Sequence, residues 1–323
     1  MFIKLLIFFI LFTLTNSDND KIHLIENKAN IGMVRSFDYI DSGNLVIYDN
    51  NDKLHHLVRS DENYNQELII NKHGNGPCEY ESVSDFTVYE NQLIVLDNSN
   101  GKLLTFELSG GDCINEITDK EFTRFASLAI LKQDKLVFSV AEIHQGMEED
   151  QSLAYELDLE SEEFSSMPVA YENYQGVIKD INFNMPMRAP NPVVYVENRD
   201  KLLFYFSTSE IIHALETDQN DYHQMDTGMQ VPAPPESANE MLEYMDHIFL
   251  LFDLQLSGPI VALGGRVDDN WIAHIHHSEL DEQAEVEGRF LAVDSDSIIL
   301  LRFNDEYDHP YYIESLSLED IFG

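Results

Sequence analysis

The sequence predicts an all-β protein built as a β-propeller. Three observations predict it. First, a strand–turn–strand unit, "NLVIYDNNDKLHHL" (44–57), returns as "QLIVLDNSNGKLLTF" (92–106), with Asp49 and Asp97 48 residues apart. Second, weaker copies follow at "KLVFSV" (135–140), "KLLFYF" (201–206), "WIAHIH" (271–276) and "SIILLR" (297–302), each after a polar turn. Third, the last segment offers three strands, while "DKIHLIEN" (20–27) offers one orphan strand. Units of several short strands repeating every 40–50 residues or so mark a propeller. One four-stranded blade cannot bury both faces, and stacking blades radially buries them against each other.

The elements follow in chain order. The opening "MFIKLLIFFILFTLTNSDND" has Lys4, an apolar run from Leu5 to Leu14, then the small residues Thr15 and Ser17. That pattern predicts a secretory signal peptide, residues 1–17, followed by a propeller domain over 18–323. The apolar run is about ten residues, against the ~20 of a spanning helix. No Cys stands near the cleavage point, so no lipid anchor is expected, and no later stretch is apolar enough to span a membrane. Residues 20–27 are expected to complete the last blade and so remove the open edges of the ring.

Two long stretches interrupt the repeat. Residues 167–192 read as an inter-strand loop, and so do residues 229–258, with a short helix starting near Ser237. Strands within 226–290 are not assignable from the pattern. The repeat spacing fits six blades or seven.

Charge narrows the function. The chain carries 19 Lys plus Arg against 59 Asp plus Glu, a net charge of −40. Such a surface repels phosphate backbones and anionic lipid heads, so no nucleic-acid partner is expected. The acids are spread along the chain, which reads as a solvated shell.

The stretch "KHGNGPCEY" (72–80) leads into "SDFTV" and then into the second unit. This Gly-x-Gly-Pro-x-Glu-Tyr turn resembles the bacterial 6-bladed β-propeller proteins related to NHL-repeat propellers, which are exported and frequent in Bacteroidota. The matching residues are Gly74, Gly76, Pro77, Glu79, Tyr80, Ser84, Asp85, Phe86, Asp97 and Lys102. The match covers residues 70–115, with a fainter echo in 44–71. The resemblance implies six four-stranded antiparallel blades and export, and no general reaction. The family usually has Gly where this chain has Cys78, and many members carry a lipid-accepting Cys absent here.

Placed in such a fold, "ELIINK" is an outer strand and "SVSDFTV" the next inner one. Gly74 and Gly76 would then permit positive φ, and Pro77 would fix the turn between them. A phosphate cradle would need a helix N-terminus or a Lys-Ser/Thr follow-on, and neither is present. Cys78 is expected at this corner and Cys113 at the opposite end of the outer strand. A strand of that length spans roughly 17–20 Å, beyond the ~7 Å that a disulfide bridges, so no bond between them is expected.

Other chemistry is sparse. His274 and His276 alternate on a strand and are the weak metal candidates, with Asp268, Asp269, Glu279 and Asp281 nearby. His55 and His56 face opposite sides. Asp49-Asn50 and Asp97-Asn98 read as turn caps, since calcium loops need several ligands at fixed spacing. No nucleophile elbow, zinc-protease signature or P-loop occurs. The resulting expectation is an exported, monomeric, non-catalytic module binding an extracytoplasmic ligand or protein, cofactor unknown. The alternative is a metal-dependent hydrolase or lyase with its site in the central channel.

Overall fold

A computed structural model describes residues 22–25, 31–40, 43–60, 63–132, 134–144, 147–173, 187–188, 191–196, 200–206, 211–217, 221–226, 253–257, 260–267, 270–277, 280, 282–294, 297–304 and 310–323. The expected signal peptide, the expected helix near Ser237 and most of residues 167–192 lie outside these residues.

The described strands form six antiparallel blades of four. The first holds Val34–Tyr39, Leu45–Asp49, Leu54–Arg59 and Asn63–Ile70. The second holds Asp85–Tyr89, Gln92–Asp97, Lys102–Glu107 and Cys113–Thr118. The third holds Phe125–Lys132, Lys135–Val140, Ala154–Asp158 and Glu163–Ser166. The fourth holds Val193–Val196, Lys201–Tyr205, Ile211–Glu216 and Asp221–Asp226. The fifth holds Asp253–Ser257, Ile260–Val267, Asn270–His277 and Glu282–Glu287. The sixth holds Arg289–Asp294, Ser297–Phe303 and Tyr311–Ser317, with Ile22–Ile25 as its outer strand.

The second strand of a blade is buried on both sides, which is why it reads as an unbroken apolar run. Alternation divides that run between two neighbours. Leu93 and Val95 pack with Val46, Tyr48 and Leu54 of the first blade. Ile94 and Leu96 pack with Phe125, Leu128 and Phe138 of the third. Each core cluster among the described residues joins two neighbouring blades.

The ring closes through its N-terminus. Ile22, His23 and Leu24 pair antiparallel with Glu314, Ile313 and Tyr312. The same strand also pairs in parallel with the first blade, Leu24 with Asn63 and Ile25 with Tyr64. One strand therefore covers two outer edges and merges two blades into one eight-stranded sheet. Arg289, 2% exposed, reinforces this joint. Its guanidinium donates to the Val34 and Arg35 carbonyls at 3.3 and 2.8 Å. It also lies 4.5 Å from the centre of the Phe37 ring and 4.2 Å from the Trp271 ring.

Polar links tie neighbouring inner strands. The Asp38 carboxylate accepts from Val88 N–H at 2.7 Å. Asp85 accepts from the Ser127 hydroxyl and Leu128 N–H at 2.5 and 2.9 Å.

The fifth blade corrects the sequence reading. "WIAHIH" is the blade's third strand; the second is Ile260–Val267, "IVALGGRV", which pairs with it along its whole length. That strand carries two glycines in place of an unbroken apolar run, so it did not match the repeat.

Candidate functional site

Antiparallel order places two kinds of connection on one face of the ring. These are the crossovers from outer to next inner strand, and the turns between second and third strands. We refer to it as the crossover face.

The 72–80 corner lies on this face between the first two blades. Tyr80 is fully buried. Its hydroxyl donates to the Ile70 and Asp52 carbonyls, both at 3.0 Å, and its ring meets the edge of Phe106. Gly74 N–H donates to Tyr80 O at 2.9 Å, and Tyr80 N–H to Lys72 O at 3.0 Å. The Glu79 carboxylate folds back onto Gly76 N–H at 2.8 Å. A Cβ on Gly74 would stand 2.2 Å from Glu79 Oε2, and one on Gly76 2.8 Å. Of the two, only Gly74 has positive φ, +155°; at Gly76 the crowding atoms are the carboxylate end of the Glu79 side chain.

Gly76 O accepts from Glu79 N–H at 3.2 Å, which makes residues 76–79 a β-turn. Pro77 takes the second position and Cys78 the third, with φ +57°. This is the type II pattern, whose third position favours glycine. The side chain at 78 therefore stands where the backbone prefers none.

The expectation of two separate thiols is wrong: Cys78 and Cys113 form a disulfide, with Cα atoms 5.9 Å apart. The distance argument placed the corner at the end of the second blade. Instead the corner lies back along that blade's outer strand. Cys78 N–H donates to Glu116 Oε2 at 2.5 Å. Lys102 Nζ, on the adjoining strand, donates to Gly76 O at 2.8 Å and Glu79 O at 3.3 Å. Lys102 also pairs with Glu116 at 3.3 Å. The Cys78 N–H and then Lys102 hold the Glu116 carboxyl below its ordinary range.

Asp97 is buried and its carboxylate is fully engaged. It accepts from Glu81 N–H at 2.8 Å, the Asn100 side chain at 2.9 Å and Asn100 N–H at 3.3 Å. Asp49 repeats this one blade earlier, accepting from Gly32 N–H at 2.8 Å, Asn51 N–H at 2.9 Å and Lys53 N–H at 3.1 Å. Each Asp joins its turn to the crossover entering its own blade. His55 Nε2 adds a buried contact to Asp49 at 3.1 Å, and its Nδ1 faces Gln66 Oε1 at 3.1 Å. Burial pushes the Asp49 carboxyl up, but the Gly32 N–H and the other donors outweigh it and hold the group below its ordinary value. Burial pushes the neighbouring His56 down.

His274 and His276 share one face of the fifth blade's third strand. His274 Nδ1 pairs across the sheet with Glu285 at 3.2 Å. Asp268, Asp269, Glu279 and Asp281 lie outside the described residues. Among the described residues no three His, Cys, Asp or Glu side chains converge as metal ligands.

Sequence reasoning missed a cavity of about 300 Å³ on the third blade, lined by Thr123, Arg124, Val140, Glu142, His144, Met147 and Gln151. It arises from two departures from the plain repeat. The crossover into the third blade contains a 3-10 turn, Lys120–Arg124, capped by Asp119 accepting from Glu121 N–H. The link between the second and third strands, residues 141–153, is far longer than its counterpart at 50–53. Ala141 N–H donates to Arg124 O at 2.7 Å and joins the two walls. Glu142–Ile143 pairs with Met187–Arg188 and anchors the loop. The 66-residue gap between "KLVFSV" and "KLLFYF" was the available signal.

Fold and crossover face together define a 6-bladed propeller whose third blade is elaborated. A family described as "6-bladed beta-propeller" matches residues 26–227, and the chain belongs to that family. The fold is also similar to a duf4221-family protein from Bacteroides vulgatus, at 10% identity, TM-score 0.62, over 92% of this chain and 95% of that one. A Bacteroides fragilis protein named as exported aligns at 13% identity and TM-score 0.56, over 94% and 97%. A luciferin-regenerating enzyme aligns at 9% identity and TM-score 0.55, over 93% and 96%. At these identities the likeness is one of fold alone. No curated protein matches the chain. No helix among the described residues is long and apolar enough to cross a membrane.

Proposed function

We propose that this chain is an exported, monomeric propeller that binds a ligand or partner outside the cytoplasm, through its crossover face, without catalysing a reaction. Residues 1–17 would be removed on export, leaving 18–323 as the propeller. The Gly74–Tyr80 corner and Asp97 serve the architecture: their polar atoms face protein donors and acceptors, so they hold the face rigid. One observation carries the reading. The third blade departs from the repeat and in doing so opens a cavity on that face. Ligand pockets are concave, mostly apolar with a few placed polar groups, and few per protein; this one is more polar and at the small end of their size range.

Ligand-observed NMR with a library of small molecules and short peptides tests the reading. The expected hits lose their signal change when Met147→Trp fills the cavity. Hits that survive this substitution would place binding elsewhere and overturn the assignment.

A further inference from the structure

We propose that Asn75 is a self-modification site. The backbone nitrogen of Gly76 attacks the Asn75 side chain, ammonia leaves, and residue 75 becomes aspartate or isoaspartate. This chemistry is the chain's own and stands apart from ligand binding.

The sequence holds two Asn-Gly pairs, Asn75-Gly76 and Asn100-Gly101. Such a pair can cyclise because glycine puts no side chain in the way of close approach to its nitrogen. Cyclisation needs a base for the glycine N–H, a donor on the amide oxygen, and afterwards water. The 72–80 corner supplies all three at Asn75. Glu79 Oε2 accepts from Gly76 N–H at 2.8 Å, so a carboxylate sits on the proton that must leave. That distance is within the reach of a general base. Asn100 Nδ2 donates to Asn75 Oδ1 at 2.9 Å, the atom on which negative charge develops as the carbonyl is attacked. The orientation of the Asn100 amide is itself fixed. The same nitrogen donates its other hydrogen to Asp97 Oδ2 at 2.9 Å, and a carboxylate only accepts. Asn75 is exposed, so water reaches it.

The bond from Gly76 N to Asn75 Cγ forms as the N–H proton passes to Glu79. The bond from Cγ to Nδ2 then breaks, and the nitrogen leaves as ammonia with that proton. Water opens the five-membered imide at either carbonyl. One opening gives aspartate; the other gives isoaspartate, with the backbone running through the former side chain. Either product adds a carboxylate to the crossover face. Asn100-Gly101 is the internal comparison. Its side-chain nitrogen is held by two acceptors, Asp97 and Asn75, and Gly101 is buried.

Peptide mass mapping of the purified protein, incubated at neutral pH in heavy-oxygen water, follows both positions. Asn75 should convert at least threefold faster in the folded chain than in the same chain unfolded in denaturant. Each conversion should release one ammonia and gain one heavy oxygen. In the folded chain Asn100 should convert at least tenfold more slowly than Asn75. Glu79→Gln keeps an oxygen that can accept from Gly76 N–H and removes the base. It should slow the folded chain at least threefold and leave the unfolded rate unchanged. The folded-to-unfolded ratio needs no variant, so it decides even where Glu79→Gln fails to fold. An Asn75 acceleration below threefold would overturn the proposal. An unchanged rate in folded Glu79→Gln would do the same, and so would Asn100 keeping pace with Asn75.

Discussion

Replacing both cysteines by alanine should destabilise the protein by about 4 kcal/mol. The disulfide closes a loop with a sequence separation of 35. Opening a loop of that size returns about 3.8 kcal/mol of chain entropy to the unfolded state at 25 °C. For a chain of about 300 residues this corresponds to a Tm lower by about 6 °C. Position 78 adds a second arm. Cys78 has φ +57°, where a non-glycine residue costs roughly 1–2 kcal/mol. Cys78→Gly with Cys113→Ala should therefore recover about 1 kcal/mol of the loss, whereas Cys78→Ala with Cys113→Ala recovers none. Urea unfolding of the three proteins measures the differences. Thiol titration of the unreduced, urea-unfolded native chain should find no free thiol. Two free thiols would refute the bond. Equal stability of the two double variants would refute the turn geometry.

Three further outcomes follow from the same contacts. Gly74→Ala should cost about 1–3 kcal/mol, because φ is +155° and its Cβ would stand 2.2 Å from Glu79 Oε2. In a double-mutant cycle with Glu79→Ala, coupling below about 0.5 kcal/mol would show that the clash is not the cause. Stability should fall on acidification in two stages. His56 is held below its ordinary value by burial, so the unfolded chain binds its proton first, and stability is lost as pH drops through about 6.5. Asp49, also held low, contributes stability above about pH 3.9 that is lost as pH falls through its folded value. Urea midpoints of His56→Gln and Asp49→Asn against native protein separate the stages; parallel pH profiles would contradict the assignment. Deleting Ile22–Ile25 should open the edges at Tyr311–Ser317 and Asn63–Tyr64 and drive self-association, read by light scattering. A synthetic 20–27 peptide should reverse it, and an unchanged monomer would refute the closure argument.

The blades were legible because their cause is local. Leu93 to Leu96 must bury both faces of one strand, and that demand writes a continuous apolar run flanked by turns. The closing strand was legible by elimination, since one strand was missing at one end and spare at the other. The fifth blade was not, because Gly264 and Gly265 dilute the run. The disulfide was hidden for a different reason. Strand counting locates the ends of a strand but not the path of a corner beside it. Lys102 and Glu116, which hold that corner down, lie on neighbouring strands, and nothing in their spacing marks that role. The cavity was least legible, since residues 141–153 have no period and take their shape from the Arg124 carbonyl and the 187–188 strand.

That division bears on function. A propeller whose layers all share strands cannot bend one blade without disturbing two interfaces, and here the closing strand ties the first and sixth blades as well. The 141–153 connection reaches into one of those interfaces, since Ile143, Met147 and Leu153 are buried with Val193, Leu202 and Phe204 of the fourth blade. The first two blades use the crossover face for tight Asp-capped turns with satisfied carboxylates. The third spends thirteen residues, 141–153, in the same position. It places Glu142, His144 and Gln151 where a plain turn would leave nothing to bind. If the loop only filled that interface, replacing His144 and Gln151, which line the cavity, by alanine while keeping Ile143, Met147 and Leu153 would leave a stable ring with unchanged ligand binding. A stable ring that loses its ligands would show that the blade is scaffold and the insertion is the site.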